Sequence, residues 1–363
     1  MYNTINIQGS NYKLNLSKYY LDGAEEYLIK SKQDKKNEKE YLKKAEELIE
    51  KARIVNILPE NNMKLNEFAL AKKPNTKFKD IAGLEKIKEK INLKVIEPLK
   101  NQKLFELFGK KFGGGIIMYG PPGCGKSFIA EATAGEANVA YFNVKVSDIK
   151  SKYVGETEQN ISKLFKLARD NQPCIIFFDE FESLGQDRNQ AIGHDKSMIS
   201  QLLTEIDSLG NKDQKILLIA ATNEPWSIDL ALRREGRFGS TLFVPPPDFS
   251  SRKNILKIQL DNKPIEDIDF DLIAKATEFY SGADMVEICN KSIENVLSEC
   301  LKNNQIRKIK TIDLLQAIKN KKELITVKWF KKALDIIYAT DNTDSFNEVI
   351  EYANNSILQK QTA

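Results

Sequence analysis

The sequence of 363 residues has few of the side chains that build metal centres or disulfide frameworks: four cysteines and a single histidine, His194. The cysteines are widely spaced and form no C-x-x-C pair, so neither a zinc ligand set nor a disulfide scaffold is predicted. No run approaches the ~20 apolar residues that a membrane-spanning helix needs, and no apolar segment follows a basic start. With free thiols that suit a reducing compartment, these absences predict a cytoplasmic protein without a membrane span.

Arginine is also scarce, because lysine supplies most of the 55 basic residues and only eight are arginine. The 51 acidic residues leave a formal net charge of +4, which is too even to favour nucleic acid. The sequence also lacks a domain in which basic and aromatic residues alternate, so no nucleic-acid partner is predicted. The hydrophobic and charged fractions, 41% and 29%, are ordinary for a globular protein.

One segment matches the phosphate-loop pattern G-x-x-x-x-G-K-[ST] (Walker A). It consists of Gly120, Pro121, Pro122, Gly123, Cys124, Gly125, Lys126 and Ser127. A short apolar run precedes it and a helix-prone run starting at Phe128 follows, which is the strand–loop–helix context that the pattern requires. Backbone N–H groups of such a loop turn toward a polyphosphate, with the lysine reaching the β- and γ-phosphates and the serine hydroxyl binding Mg²⁺. The loop therefore predicts a nucleotide site.

Apolar spacing predicts helices in residues 1–60, with one helix near 22–32. A second carries an apolar stripe of Tyr41, Leu42, Ala45, Leu48, Ile49 and Ala52. This spacing predicts a small N-terminal helical bundle, in which we interpret the stripe as core. Residues 61–77 show little periodicity and are predicted to be a linker.

Short apolar runs predict five strands, at 115–119, 139–144, 174–178, 216–221 and 241–244. The runs at 174–178 and 216–221 are apolar throughout, which is typical of strands covered by helices on both faces. Strands that alternate with helices predict an α/β fold, a P-loop NTPase with a doubly wound parallel five-stranded sheet, over 78–247. Helical patterns then predict a helical subdomain over 248–325 and C-terminal helices over 326–363, near 326–338 and 343–360.

Two acidic residues, Asp179 and Glu180, directly follow the predicted strand 174–178. A phosphate-loop enzyme needs a carboxylate near Mg²⁺, and the next acid is then placed to polarise the attacking water. A solvated strand end is the alternative, which the upstream phosphate loop disfavours. Asn223 ends the following apolar strand and could hold the lytic water or contact the γ-phosphate; stabilisation of a turn is its alternative role.

An arginine cluster, Arg233, Arg234 and Arg237, stands out in a chain that otherwise uses lysine. The rigid guanidinium fork suits phosphate, so an arginine finger is predicted, with surface ion pairing as the alternative.

Another loop segment, Lys152-Tyr153-Val154 before Gly155, suits a mobile tip that binds a partner, although Tyr153 could instead pack locally.

Six ordered motifs together make this chain resemble the AAA ATPases, in the protein-remodelling branch that includes valosin-containing protein, katanin and the vacuolar-sorting ATPase. The motifs lie at residues 78–83, 114–127, 174–180, 222–223, 236–238 and 280–284. The resemblance implies that the backbone at Asp80, Ile81, Ala82 and Gly83, with Gly282 and Ala283, contacts the nucleotide. It implies the same for the phosphate loop and for Phe128, the residue after it. It also implies that the helical subdomain 248–325 is a lid over ATP.

The resemblance further implies a homohexameric ring with Mg·ATP bound between subunits, Ser127 on the metal and Asp179 acting through water. Glu180 and Asn223 are then catalytic in their own subunit, and Arg237 acts on the ATP of the neighbour. Lys152, Tyr153 and Val154 would face the central pore and bind an extended polypeptide.

The sequence departs from the family pattern at four positions, one of which is Ser127, where many relatives carry threonine. A second arginine is common where this chain has Ser240, so catalysis in trans would rest on Arg237, with Arg234 as a possible helper. Gln259 occupies a position where some relatives place a histidine near adenine. Cys124 replaces a frequent threonine, which we interpret as a tolerated small residue; a redox role, in which the helix N-terminus lowers its pKa, is the alternative.

The leading hypothesis is ATP hydrolysis coupled to unfolding, threading or disassembly of protein substrates, with an adaptor or substrate recruited through the N-terminal bundle. The alternative is an ATP-dependent conformational switch or assembly factor that threads no polypeptide. Glu180, Asn223 and Arg237 together favour turnover, and Tyr153 favours threading.

Overall fold

The computed structural model describes residues 20, 23–32, 34, 37–57, 73–109, 113–150, 155–184, 194–210, 214–319, 324–341 and 343–358. The chain divides into two compact units, Met1–Leu70 and Ala71–Ala363. Within the described ranges, no helix is both long enough and apolar enough to cross a membrane.

In the described part of the first unit, helices cover residues 23–32 and Glu38–Ile57. The interpretation of the apolar stripe as core holds only in part, because Ala45 is buried whereas Leu42 and Ile49 are 38% and 41% exposed. A small side chain forms the buried contact, and two larger apolar side chains of the stripe keep much of their surface open. Much of the predicted linker, from residue 61 to 72, lies outside the described residues.

The second unit is built on a five-stranded parallel sheet with the strand order β2-β3-β4-β1-β5. The strands are β1 (Gly114–Tyr119), β2 (Ala140–Lys145), β3 (Cys174–Asp179), β4 (Ile216–Thr222) and β5 (Ser240–Phe243). The predicted α/β fold with a parallel five-stranded sheet is confirmed. Each predicted strand end lies within one residue of the observed end.

Both faces of the sheet are buried, which explains the uninterrupted apolar runs. In β3, Ile176 and Phe178 belong to one apolar cluster, whereas Ile175 and Phe177 belong to another. Successive side chains of a strand point to opposite faces, so each cluster marks one helix-covered side of the sheet.

The helices of the α/β part surround this sheet. They are Glu85–Ile91, Glu97–Lys100, Gln102–Leu107, Lys126–Ala137, Val146–Ile149, Glu156–Asp170 and His194–Gly210. A π-helical turn, Asn92–Ile96, joins the first two.

Helices follow β5 and form a separate apolar cluster. They are Phe249–Leu260, Phe270–Ala276, Gly282–Asn303 and Thr311–Lys319. We call Gly282–Asn303 the lid helix. Its start is fixed by a capping box, in which Ser281 and Asp284 each accept a hydrogen bond from the backbone N–H of the other.

Two more helices complete the described chain: the first C-terminal helix, Ile325–Ala339, and the second, Asn347–Ala353. The second is shorter than the helical pattern predicted over 343–360, because it is preceded by a 3-10 turn and followed by a π-helical turn, Asn354–Leu358. That turn begins with consecutive asparagines, whose side chains compete for backbone hydrogen bonds and weaken an α-helix.

Candidate functional site

Three of the predicted site segments meet at one edge of the sheet. The phosphate loop follows β1, Asp179 ends β3 and Asn223 follows β4. These three strands are neighbours in the order β3-β4-β1 and run parallel, so their carboxyl ends lie side by side. This is the edge at which ligands bind in open α/β sheets.

Gly123 shows why the phosphate loop needs glycine. Its φ is +75°, and an added Cβ would lie 2.8 Å from the Ser281 Oγ and 2.9 Å from the Ala283 Cβ. The N–H of Ala283 also donates to the Gly123 carbonyl at 3.0 Å. The loop and the start of the lid helix are therefore in contact, with no room for a side chain between them.

Lys126 is buried with its ammonium group among three acceptors. Its Nζ donates to the carbonyls of Gly120 and Pro121, both at 2.9 Å, and to the Asn223 Oδ1 at 2.8 Å. Burial lowers the pKa of Lys126 to about 8, and the nearby carboxylates of Glu182 and Asp179 act in the opposite direction. The charge is thus held by the loop itself and by the residue after β4.

Ser127 and Asp179 supply the oxygen ligands that Mg²⁺ prefers. The Ser127 hydroxyl donates to the Asp179 Oδ2 at 3.1 Å, and the other carboxylate oxygen accepts from the N–H of Glu180 at 2.9 Å. A hydroxyl and a carboxylate at this separation fit a hydrated Mg²⁺ beside a phosphate. Glu180 has a φ of +54° and an exposed side chain, so its carboxylate is open to water.

Asn223 is held by an acidic residue that the sequence analysis did not single out. The backbone N–H and the side-chain Nδ2 of Asn223 both donate to the Glu182 Oε1, at 3.3 and 3.2 Å. This fixes the side-chain amide so that its oxygen faces Lys126. The signal available in the sequence was the third acid in the run Asp179-Glu180-Phe181-Glu182.

A cavity of about 1060 Å³ lies beside the loop and the lid helix. Predicted nucleotide-contact residues that line it are Asp80, Ile81, Ala82, Gly83, Gly123, Cys124, Gly125, Phe128, Gly282 and Ala283. Gln259 lines it as well. Its size suits a nucleotide, since ligand cavities typically span ~300–1,000 Å³.

The second C-terminal helix forms a wall of this cavity that the sequence analysis missed. Its Glu348, Glu351 and Tyr352, with Asn355 from the turn after it, line the cavity. Tyr352 stacks on Phe330 of the first C-terminal helix with ring centroids 5.1 Å apart. Nothing in the spacing of the helical pattern indicates which strand end such a helix contacts.

Trp329 and Phe330 are both buried, and Trp329 also reaches the site. Its indole Nε1 donates to the carbonyl of Asn223 at 2.6 Å. No local sequence signal could have found this contact, because the two residues are 106 positions apart.

Cys124 is buried, and its Sγ lies 3.8 Å from the carbonyl of Pro122. Burial raises the pKa of this thiol to about 12, and the adjacent Lys126 offsets only part of the rise. A reactive thiolate needs a lowered pKa, so the environment opposes the redox hypothesis and favours a small packing residue.

The arginine cluster lies elsewhere. Arg237 forms a two-pronged ion pair with Asp207, both N–O distances being 2.7 Å, and lines a second cavity of about 940 Å³. Arg233 donates to the Pro225 carbonyl and lies over the Phe346 ring, whereas Arg234 is exposed. None of the three lines the cavity beside the phosphate loop.

Ser240 accepts a hydrogen bond from Lys94 at 2.5 Å.

The predicted polypeptide-binding residues Lys152, Tyr153 and Val154 lie outside the described residues, which resume at Gly155. Gly155 has a φ of +82° and precedes the helix Glu156–Asp170.

Two family models match the segments that build the site. Residues 116–246 match the ATPase family associated with various cellular activities (AAA), and residues 267–311 match the AAA+ lid domain. The chain is 40% identical over 238 residues to a putative cell division cycle ATPase of Plasmodium falciparum, covering 65% of this chain and 19% of that protein. It is 37% identical over 289 residues to the cell division cycle protein 48 homolog of Archaeoglobus fulgidus, covering 78% and 38%. The chain thus spans less than two fifths of the length of either relative.

Proposed function

We propose, from the premise that this chain belongs to the AAA ATPases and carries their lid domain, that it hydrolyses ATP to remodel protein substrates. The observation that carries the proposal is the convergence of Lys126, the Ser127–Asp179 pair and Asn223 on one phosphate loop. The likeness to a cell division cycle protein 48 homolog supports ATP-driven remodelling over an unrelated nucleotide-dependent activity.

In the proposed reaction, the loop N–H groups and Lys126 bind the β- and γ-phosphates. The Lys126 ammonium then replaces its hydrogen bonds to Gly120, Pro121 and Asn223 with bonds to phosphate oxygens. Ser127 and, through water, Asp179 would hold Mg²⁺, which would neutralise phosphate charge. The exposed carboxylate of Glu180 orients and polarises the attacking water, and Asn223 holds that water or contacts the γ-phosphate.

We also propose that the site is completed by a second subunit of a homohexameric ring. Arg237 does not line the cavity beside the phosphate loop of its own chain, yet its guanidinium is held in a defined orientation by Asp207. An arginine placed in this way can act on the nucleotide of a neighbouring subunit. In other phosphoryl-transfer enzymes, such an arginine raises the rate of hydrolysis by ~10³–10⁵.

We assign substrate contact to Lys152, Tyr153 and Val154, which would bind an extended polypeptide in the pore of the ring. The half-open apolar stripe with Leu42 and Ile49 supports recruitment of an adaptor or substrate by the N-terminal helices. Both assignments concern the assembled protein and rest on the family likeness together with the residue types present.

Two variants test the proposal. Glu180→Gln should bind ATP without hydrolysing it, stabilise the ring on size-exclusion chromatography, and retain protein substrate for affinity capture. Tyr153→Ala should keep the ATPase rate and lose unfolding of a tagged fluorescent protein. Full unfolding activity of Tyr153→Ala would reject threading and favour the conformational-switch alternative, and wild-type ATPase activity of Glu180→Gln would reject the catalytic assignment.

A further inference from the structure

The carbonyl of Asn223 has an unusual partner. Asn223 is the first residue after β4, and its carbonyl accepts a hydrogen bond from the Trp329 indole at 2.6 Å. Trp329 is only 7% exposed, and a buried N–H group without a hydrogen-bond partner costs free energy. The bond therefore ties the backbone at Asn223 to the first C-terminal helix.

The other polar groups of Asn223 are also occupied. Its N–H and Nδ2 donate to Glu182, and its Oδ1 accepts from Lys126 at 2.8 Å. With Trp329 on the carbonyl, the residue is held from three directions. Its side-chain amide therefore has a fixed orientation relative to the phosphate loop.

The helix that carries Trp329 is also held by polar contacts of Lys332 and Thr326. Lys332 pairs with Glu224, the residue after Asn223, at 2.5 Å. At the start of the helix, the Thr326 hydroxyl donates to the carbonyl of Phe279. The first C-terminal helix thus contacts the loop after β4 on one side and the segment before the lid helix on the other.

The segment on the lid side is itself linked to the phosphate loop. Phe279 lies two residues before Ser281, the N-cap of the lid helix, and Ala283 in the first turn of that helix donates to the Gly123 carbonyl at 3.0 Å. A displacement of the lid would therefore move the partner of Thr326, and through the helix it would move the indole that holds Asn223.

We propose that Trp329 is a positioning residue for ATP hydrolysis, because its indole N–H fixes the position of Asn223. Through the first C-terminal helix, that position also depends on the contact between the lid helix and the phosphate loop. The inference rests on the proposed function, because it takes Asn223 as the group that faces the attacking water or the γ-phosphate. A catalytic group displaced by about 1 Å can lose a large part of its effect on rate.

The decisive variant is Trp329→Phe, which keeps a large aromatic ring in the cluster and removes only the N–H donor and one ring. Trp226→Phe is its matched control, because Trp226 packs against Trp329 at 5.9 Å and undergoes the same substitution with the bond to Asn223 intact. We expect kcat to fall by about tenfold in Trp329→Phe and by less than twofold in the control. The KM for ATP, the Kd for a fluorescent ATP analogue and the thermal midpoint should match between the two variants.

A purely structural role of Trp329 would lower the thermal midpoint or weaken ATP binding while leaving kcat within twofold of the control, and this result would overturn the proposal.

The chain has only two tryptophans, so Trp226→Phe leaves Trp329 as the sole indole emitter. Its emission should shift when Mg·ATP is added, since Lys126 then releases Asn223. Unchanged emission on saturation would contradict the coupling.

Thr326→Val tests the lid side, because it keeps the side-chain shape and removes the hydroxyl. A kcat lowered about threefold with unchanged KM supports the dependence on the lid helix, and an unchanged kcat overturns that dependence.

Asn223→Ala, measured in parallel, separates this inference from the proposed function. If Asn223→Ala hydrolyses ATP at the wild-type rate, the role given to Asn223 is wrong. If it is inactive while Trp329→Phe is fully active, only the role given to Trp329 is wrong.

Discussion

Lys126 carries its charge in a largely buried position before any phosphate is bound. Three oxygen acceptors satisfy its ammonium protons, yet burial still lowers its pKa to about 8. An unfolded lysine has a pKa of about 10.4, so between these values the unfolded chain binds more protons than the folded chain. The free energy of unfolding therefore gains a contribution from this residue that rises with pH across that window.

A polyphosphate reverses this effect, because it stabilises the ammonium form and raises the pKa of Lys126. We expect proton uptake on ATP binding to increase from a small fraction at about pH 7.5 toward one proton per nucleotide at about pH 9. Calorimetric titrations in two buffers of different ionisation enthalpy at each pH measure this uptake. Equal uptake at both pH values would show that Lys126 is already fully protonated in the free protein.

Cys124 and Glu182 show that neighbours decide a role as much as residue type does. Cys124 occupies the phosphate loop, where a thiol could be activated, but burial raises its pKa to about 12. Glu182 is one of three acids in a short run, and its contact with Asn223 distinguishes it from a surface carboxylate.

At the scale of elements, the two C-terminal helices form an aromatic layer against the end of the sheet. Phe330, 1% exposed, contacts Trp329 and Tyr352 and also meets Phe243 at the end of β5. This layer carries both the wall of the nucleotide cavity and the indole that holds Asn223. Its stability therefore bears directly on the geometry of the site.

Phe330→Ala should destabilise the protein by about 3–5 kcal/mol, because it removes a fully buried ring and leaves a cavity. Tyr338→Ala, on the same helix but 57% exposed, is the control and should change stability by no more than about 0.5 kcal/mol. Urea unfolding followed by tryptophan emission reports the difference, since both tryptophans lie in or beside this layer. Similar midpoints for the two variants would show that the aromatic layer contributes little.

At the scale of the whole molecule, the two groups of site residues do not meet within one chain. The phosphate loop, Asp179 and Asn223 lie at the carboxyl ends of the strands, whereas Arg237 faces a cavity that includes Gly114 at the start of β1. Under the proposed function, a single chain therefore carries the two parts of the site on separate surfaces. Assembly of copies is what the proposed function requires to join them.

Mixing two inactive variants tests this arrangement. Lys126→Ala should lose nucleotide binding, and Arg237→Ala should lose hydrolysis while still binding nucleotide as a monomer. In a mixed ring, the intact phosphate loop of an Arg237→Ala subunit can lie next to a Lys126→Ala subunit with an intact arginine. We expect co-assembled variants to recover part of the ATPase activity. Mixed rings that form, as shown by co-purification through a tag on one variant, but stay inactive would reject catalysis in trans.

The sequence by itself determined the strands, the parallel sheet and the phosphate loop, because these follow from local patterns. Apolar runs such as 174–178 report burial on both faces, and the spacing from Gly120 to Ser127 reports a backbone conformation. It also placed Asp179 and Asn223 each at the end of a predicted strand.

Only the tertiary structure decided which distant groups complete the site. The bond from Trp329 to Asn223, the wall from the second C-terminal helix and the ion pair of Arg237 with Asp207 each join segments far apart in the chain. The physical reason is that a periodic pattern records how deeply a residue is buried and on which face. It does not record the packing partner, which is set by the three-dimensional path of the chain.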